Sequence, residues 1–259
     1  MHKYICEKCS KEFLTRKKGQ RFCSKSCANS HNTTLRKIED LSIFDKGINE
    51  ISAYILGLII SDGCLSYDKH CKRFKITITS TDLEIIKFLN KSYCLNKKIY
   101  EYKSKKFKDA KIRYSFITTN KYDVEFIQKI GITERKSKDV FLLNVEESFI
   151  GDFIRGIFDG DGSVYINTTK NKLSNGDIKE YKYLNVSIST GSINMAKQLS
   201  NLLNQKSIKA KIVKDSRKFH ECWYVKIYEK NSILNLYKLM YTDAKLYMHR
   251  KKNVFNMMI

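Results

Sequence analysis

One stretch of this chain is written twice. Ile55-Leu-Gly-Leu-Ile-Ile-Ser-Asp62-Gly63 returns 99 residues later as Ile154-Arg-Gly-Ile-Phe-Asp-Gly-Asp161-Gly162. A repeat at that spacing restricts the main fold to two copies of a unit of about 100 residues. Each copy continues in the same way. Phe74-Lys-Ile-Thr-Ile-Thr79 and Leu184-Asn-Val-Ser-Ile-Ser189 alternate apolar and polar residues, the period of a half-buried strand. Asp82–Leu95 and Ser192–Leu203 carry apolar residues at helical spacing. Strands are predicted at Ile99–Tyr102 and Arg113–Thr118, matched by Ala210–Val213 and Trp223–Tyr228, with closing helices near Tyr122–Ile130 and Ser232–Met240. The expected fold class is α+β, a duplicated αββαββα unit.

In both copies apolar residues surround a mid-helix glycine, Gly57 or Gly156, and a carboxylate followed by glycine closes the helix. A mid-helix glycine costs about 1 kcal/mol relative to alanine, a loss that close approach of two helix backbones would offset. Gly63 and Gly162 are expected to end the helices in the left-handed conformation. If the copies pack about a pseudo-two-fold axis, Asp62 and Asp161 emerge side by side where both helix dipoles are negative. Two carboxylates there either gain a proton or share a divalent cation. Oxygen-only acidic ligands suit Mg²⁺, shared between few protein groups and substrate phosphate. A lone Asp-Gly is also an ordinary polar helix end. Two in register, in a basic chain, favour metal-assisted phosphodiester hydrolysis.

The chain is strongly basic: 49 Lys and Arg against 27 Asp and Glu leave +22, an excess that invites a polyanion. It holds 40 Lys, 9 Arg and no Pro, a bias that an AT-rich coding sequence also produces. Residues 1–46 carry 11 basic and 5 acidic side chains, and residues 47–143 and 144–259 carry 19 and 11 each, or +6, +8 and +8. With 42% apolar residues, disorder is excluded as the main state. The longest apolar run, Tyr54–Ile60, is too short to cross a bilayer, and the N-terminus has no signal core. A soluble, intracellular protein is expected.

The paired segments resemble the motifs of single-chain LAGLIDADG homing endonucleases, and the likeness runs from about Ile48 to Phe255. Gly156-Ile-Phe-Asp-Gly-Asp161-Gly162 follows the pattern with both acids. The first copy has Ile60 where the pattern has its first acid and Ser61 for its alanine, yet keeps Asp62 and Gly63. The resemblance implies that Asp62 and Asp161 ligate Mg²⁺ and serve two active sites, one per strand of double-stranded DNA, leaving short 3′ overhangs in a long, asymmetric target. It implies a basic residue near each scissile phosphate, matched by Lys136 and Lys251. It further implies two four-stranded antiparallel sheets forming a saddle over the major groove.

On that saddle, alternation points Ser66, Lys75, Thr77, Thr79, Arg113 and Ser115 outward in the first half. Tyr165, Asn167, Asn185, Ser187, Ser189, Tyr224 and Lys226 are their second-half counterparts. Matched positions differ between halves, so a monomer with an asymmetric site is expected. An RNA maturase or DNA-binding regulator of the same fold that does not cut is the alternative. The start at Met1 and the ending Asn256-Met-Met-Ile259, without a terminal His-Asn, favour an intron-encoded or free-standing origin over an intein.

Of eight cysteines, Cys6, Cys9, Cys23 and Cys27 crowd the first thirty residues. Cys-x2-Cys followed by Cys-x3-Cys suits four-thiolate, tetrahedral, structural Zn²⁺. Ser24 is placed to cap a following helix, resembling a treble-clef zinc finger. His31 is an alternative to Cys27, and two disulfides are an alternative to zinc that the lack of a secretion signal disfavours. The expected domains are a zinc module at 1–31, a linker at 32–47 with a short helix near Leu35–Leu41, and halves at 48–143 and 144–259.

Overall fold

The computed structural model describes residues 1–39, 42–93, 99–106, 109–134, 139–217 and 221–258. At the N-terminus, β1 (His2–Ile5) and β2 (Glu12–Thr15) pair antiparallel ahead of α1 (Lys25–Glu39). The Ser24 hydroxyl accepts the Cys27 N–H at 3.1 Å, fixing the first turn of α1. This helix runs without a break across the predicted 31/32 boundary, so the module and the expected linker share one element.

The first half follows as α2 (Glu50–Ser61), β3 (Gly63–Asp68), β4 (Arg73–Ser80), α3 (Leu83–Ser92), β5 (Tyr100–Tyr102), β6 (Arg113–Thr118) and α4 (Lys121–Lys129). The second repeats it as α5 (Ile150–Asp161), β7 (Gly162–Lys172), β8 (Ile178–Thr190), α6 (Ile193–Gln205), β9 (Ala210–Lys214), β10 (Trp223–Ile227) and α7 (Lys230–Tyr241). One further helix, α8 (His249–Asn256), has no forecast in the sequence pattern. The two four-stranded antiparallel sheets have matching orders, β3-β4-β6-β5 and β7-β8-β10-β9. No helix among the described residues is long and apolar enough to cross a membrane.

Strand alternation divides each sheet. Ile76, Ile78 and Phe116, and likewise Val186, Ile188, Val225 and Ile227, are buried against the helices and join the two halves in one core. The opposite face is lined by polar side chains. Between the halves α2 and α5 lie flush. The N-terminus of α2 is secured by Asn49, whose side chain accepts from Ile51 and Ser52 N–H while Ser52 Oγ accepts from Asn49 N–H.

The α2–α5 contact is reciprocal. A Cβ on Gly57 would lie 2.3 Å from Phe153 O and 2.9 Å from Gly156 Cα, and one on Gly156 would lie 2.1 Å from Tyr54 O and 3.0 Å from Gly57 Cα. Each contact has its mirror in the equivalent residues, as a two-fold axis requires. One turn on, Ser61 meets Gly160, where a Cβ would lie 2.0 Å from Ser61 Oγ. The seam is therefore two small residues per helix at i and i+4, the spacing that lets backbones touch.

Gly63 and Gly162 play a different part from the left-handed one expected. Gly162 is extended at φ −81°, and neither glycine has a positive φ. They are small because the chain turns straight from helix to strand over the preceding turn. A Cβ on Gly63 would meet Ile59 O at 2.5 Å, and one on Gly162 would meet Phe158 O at 2.4 Å.

Candidate active site and nucleic-acid face

At the seam, α2 and α5 end side by side. Asp62 closes α2, its N–H donating to Leu58 O at 2.9 Å, and Asp161 is the last residue of α5. The Asp62 carboxyl carbon lies 3.4 Å from where a Cβ on Gly160 would stand, so the first acid leans on the residue next to the second. Ser189 Oγ donates to Asp161 O at 3.0 Å, tying this helix end to the outer face of β8. A cavity of about 280 Å³ opens there, lined by Ile60, Ser61, Asp161, Ser189 and Cys222 among others. The setting matches a hard cation: carboxylate oxygens at two converging helix C-termini, where the backbone field is negative.

Lys251 sits beneath this point, on α8, and is buried. Its ammonium donates to Phe158 O at 2.6 Å, Asp159 O at 2.7 Å and Gly160 O at 3.5 Å, capping the last carbonyls of α5. Burial lowers its pKa to about 8, against the opposing pull of Asp159 and Asp62. Lys251 thus caps the helix that carries Asp161. Lys136, its predicted partner, lies outside the described residues.

The first acid of the second motif has its own network. Asp159 is fully buried, and its Oδ2 accepts from Tyr54 Oη and Met248 N–H, each at 2.9 Å, while Oδ1 has no hydrogen-bond partner among the described residues. Desolvation raises its pKa, opposed by those two donors and by Lys251 and Arg155. Arg155, also buried, donates to Met240 O and Leu246 O at 2.7 Å and to Asp152 at 2.5 Å. Together these groups fasten the segment between α7 and α8 to α5 and α2. In the first copy the same two positions are Leu56 and Ile60, buried in the apolar core.

The strand residues singled out from the sequence share the outer faces. Lys75, Thr77 and Arg113 lie on the first sheet, with Ser66 opposite Lys75 and Thr79 bonded to Ser115 at 3.0 Å. Lys75 is paired with Asp68 at 3.3 Å. On the second sheet Tyr165 stands opposite Asn185, Ser187 opposite Lys226, and Ser189 opposite Tyr224. Ser187 is buried by its neighbours, so its hydroxyl is less available than alternation predicts.

Sequence reasoning missed Asp215 and Arg217, at the β9–β10 turn. The Asp215 carboxylate accepts from Arg217 Nε at 3.0 and 3.1 Å, from Arg217 Nη2 at 2.6 Å and from Tyr224 Oη at 3.3 Å. Arg217 holds the Asp215 carboxyl well below the usual carboxylate range. The guanidinium is exposed, with its Nη1/Nη2 edge turned away from the carboxylate. An Asp-x-Arg after a strand with an outward tyrosine nearby is the only sequence signal for it.

At the N-terminus, Cys6 and Cys9 lie in the β1–β2 turn, and Cys23 and Cys27 at the start of α1. Their sulfur atoms all lie within 4.8 Å of one another. Cys9 and Cys23 are 3.6 Å apart, and Cys23 and Cys27 3.5 Å. A tetrahedron with metal–sulfur bonds of ~2.3 Å has edges of about 3.8 Å, so the four thiols fit one zinc ion. The backbone N–H of Cys23, with those of Cys9 and Lys8, lowers the Cys6 thiol to about 6. The turn is braced by Arg21 on Glu7 at 2.6 Å.

Fold and seam define a class: a duplicated α+β protein with two polar sheet faces and a pair of acids at the helix ends between them. A family model described as LAGLIDADG-like domain matches residues 49–131 and again 148–240. The chain belongs to the LAGLIDADG family. No curated protein sequence matches it. Among solved structures it is similar to the I-LtrWI LAGLIDADG homing endonuclease bound to target DNA, at 14% identity and TM-score 0.54, over 81% of this chain and 90% of that one. It is similar to the meganuclease I-SmaMI bound to uncleavable DNA, at 13% identity and TM-score 0.54, over 80% and 89%. A second I-SmaMI structure, on an uncleaved target with calcium ions, aligns at 12% identity and TM-score 0.53, over 81% and 89%.

Proposed function

We propose that this protein is a monomeric, site-specific double-strand DNA endonuclease of the homing type, hydrolysing phosphodiester bonds with Mg²⁺ and leaving short 3′ overhangs. The observation that carries the reading is the reciprocal seam, which brings Asp62 and Asp161 to one place between two polar sheet faces in a chain of net charge +22. Asp62 and Asp161 would hold the divalent cation. Bound there, it would supply charge neutralisation at phosphate and a more acidic water.

The chain's own residues set the rest. The two helix ends fix the spacing of the acids, and Lys251 holds the α5 terminus so that Asp161 keeps its direction. Outward side chains from Lys75 to Arg113 and from Tyr165 to Lys226 contact the major groove, whose edge pattern differs for every base pair. Targets selected from randomised duplexes, incubated with protein and Mg²⁺, test the reading. Double-strand cuts at one position are expected; tight binding of the wild type with no cut would favour the non-cutting maturase or regulator.

Arg217 belongs to the reading face in this proposal. Its pairing with Asp215 cancels its charge but leaves one donor edge in a fixed direction, a geometry suited to guanine O6 and N7 more than to phosphate. Arg217→Ala is expected to relax preference at a single base pair by about tenfold, with little change in the salt dependence of binding. A lower salt slope with unchanged preference would make it a phosphate contact instead.

The N-terminal module holds one structural Zn²⁺ in this reading, through Cys6, Cys9, Cys23 and Cys27. Four protein ligands leave no position for catalytic water. Metal analysis of protein purified under reducing conditions should give one zinc per chain, and Cys23→Ser should release it and unfold residues 1–31 while the main melting transition stays in place. Full zinc occupancy in Cys23→Ser would dispose of the site.

A further inference from the structure

The hairpin of β7 and β8 outgrows its counterpart. β3 and β4 pair over six residues, Gly63↔Ile78 to Asp68↔Arg73, whereas β7 and β8 pair over eleven, Gly162↔Ile188 to Lys172↔Ile178. All ten residues of the five additional pairs are exposed, so no core lies under either face. An isolated two-stranded ribbon is marginal in water and gains by lying against something.

The ribbon is nevertheless built to a definite shape. Leu173 N–H donates to Asp177 O at 2.8 Å and Gly176 N–H to Leu173 O at 2.9 Å. Gly176 takes φ +91°, which a side chain would disfavour. Asn175 bonds both the Asp177 carboxylate and its N–H. Its faces differ in kind. The face continuous with Tyr165 and Asn185 carries Asn167 opposite Tyr183, then Thr169 opposite Tyr181, then Asn171 opposite Lys179. Every one of those side chains carries a hydrogen-bonding group, Asn167 donates to Tyr183 Oη at 3.4 Å, and Tyr165, Tyr181 and Tyr183 stand 40–47% exposed. The reverse face carries Lys170 paired with Glu180 at 3.3 Å, and Ile178. Residues 168–182 hold four lysines against two acids.

We propose that residues 168–182 lie in the major groove beyond the reach of the first half's hairpin, reading about five more base pairs on one arm of the target, so that the cut falls off-centre in the footprint. Five residue pairs at ~3.4 Å extend the ribbon by about 17 Å. That length covers about five base pairs at ~3.4 Å each. The major groove, about 12 Å wide, admits a two-stranded ribbon, and Asn, Thr, Tyr and Lys are the donors and acceptors that read base edges there. The inference rests on the endonuclease reading above.

The test compares the full-length protein with a variant in which residues 168–182 are replaced by Asn-Gly, on a target chosen from randomised duplexes, with Ca²⁺ in place of Mg²⁺ during footprinting. The variant is expected to lose protection over the outer five or so base pairs of one arm only and to bind about 10- to 100-fold more weakly. On a duplex trimmed by those base pairs, the two proteins should bind alike. The ribbon covers no core, so the variant's melting temperature should match the wild type's, and the N-terminal module is common to both. Identical footprints and affinities would overturn the inference while leaving the endonuclease reading intact. If the wild type selects no target and cuts none, the endonuclease reading fails first, and the inference falls with it.

Discussion

Asp161→Asn, and separately Asp62→Asn, should reduce cutting of both strands by about three orders of magnitude while target binding stays within a few-fold of wild type. A thousand-fold loss corresponds to about 4 kcal/mol of transition-state stabilisation, the scale expected when a cation that neutralises a phosphoryl centre loses a charged ligand. Both changes keep the backbone hydrogen bonds at these helix ends. The Asp62 bond that closes α2 comes from its backbone N–H, and Asp161 accepts from Ser189 through its backbone carbonyl. Gel analysis of nicked and linear plasmid over time is the measurement. Near-wild-type rates in either variant would remove that acid from the chemistry, and clean nicking by one variant would mean that each acid serves one strand alone.

The second large effect concerns the glycines. Gly156→Ala would place a methyl 2.1 Å from Tyr54 O, and Gly57→Ala one 2.3 Å from Phe153 O. Both obstacles are backbone and cannot rotate away, so α2 and α5 must separate. We expect a loss of about 3 kcal/mol or more, at the upper end of overpacking effects. At roughly 2–4 °C per kcal/mol for a domain of this size, thermal melting should fall by about 10 °C. Gly160→Ala is the milder case: its new methyl would lie 2.0 Å from the Ser61 hydroxyl, which can swing, but also 2.6 Å from Ser61 Cβ, which cannot. It should lose less melting temperature than Gly156→Ala, whose obstacle is a backbone carbonyl, yet cut more slowly, since Asp62 leans on that position. Equal melting of Gly156→Ala and wild type would show that the helices are not held by backbone contact.

The sequence exposed the architecture because duplication made it redundant. Each strand that separates core from solvent carries alternation, as at Phe74–Thr79 and Leu184–Ser189, and the sheet orders follow. What was missed lacks such a signal. The outer ribbon has solvent on both faces, so residues 168–182 show no period, although Asn175-Gly176 marks a turn. Lys251 was singled out by the resemblance alone, and its capping role was not legible, because capping a helix from a distant segment leaves no local trace among forty lysines. Gly63 and Gly162 were assigned the commoner reason for a glycine after a helix, and only the crowding over Ile59 and Phe158 supplies the true one. Of the seam, sequence offered the glycines at 57 and 156 but not the second small pair, Ser61 and Gly160.

The ties between the C-terminal segment and the first half carry a consequence for biosynthesis. Arg250 grips Asp82 at 2.9 Å, His249 bonds Glu84 at 2.5 Å and Lys245 reaches Glu50 at 3.1 Å, across 168, 165 and 195 residues of chain. At 5–20 residues per second, a ribosome needs about 10 to 40 seconds to bridge the longest of these. Throughout that interval the helix bearing Asp161 has no Lys251 at its end and the first half has no partner clamped to it. On the endonuclease reading, competence to cut would therefore come only when residues 245–252 dock.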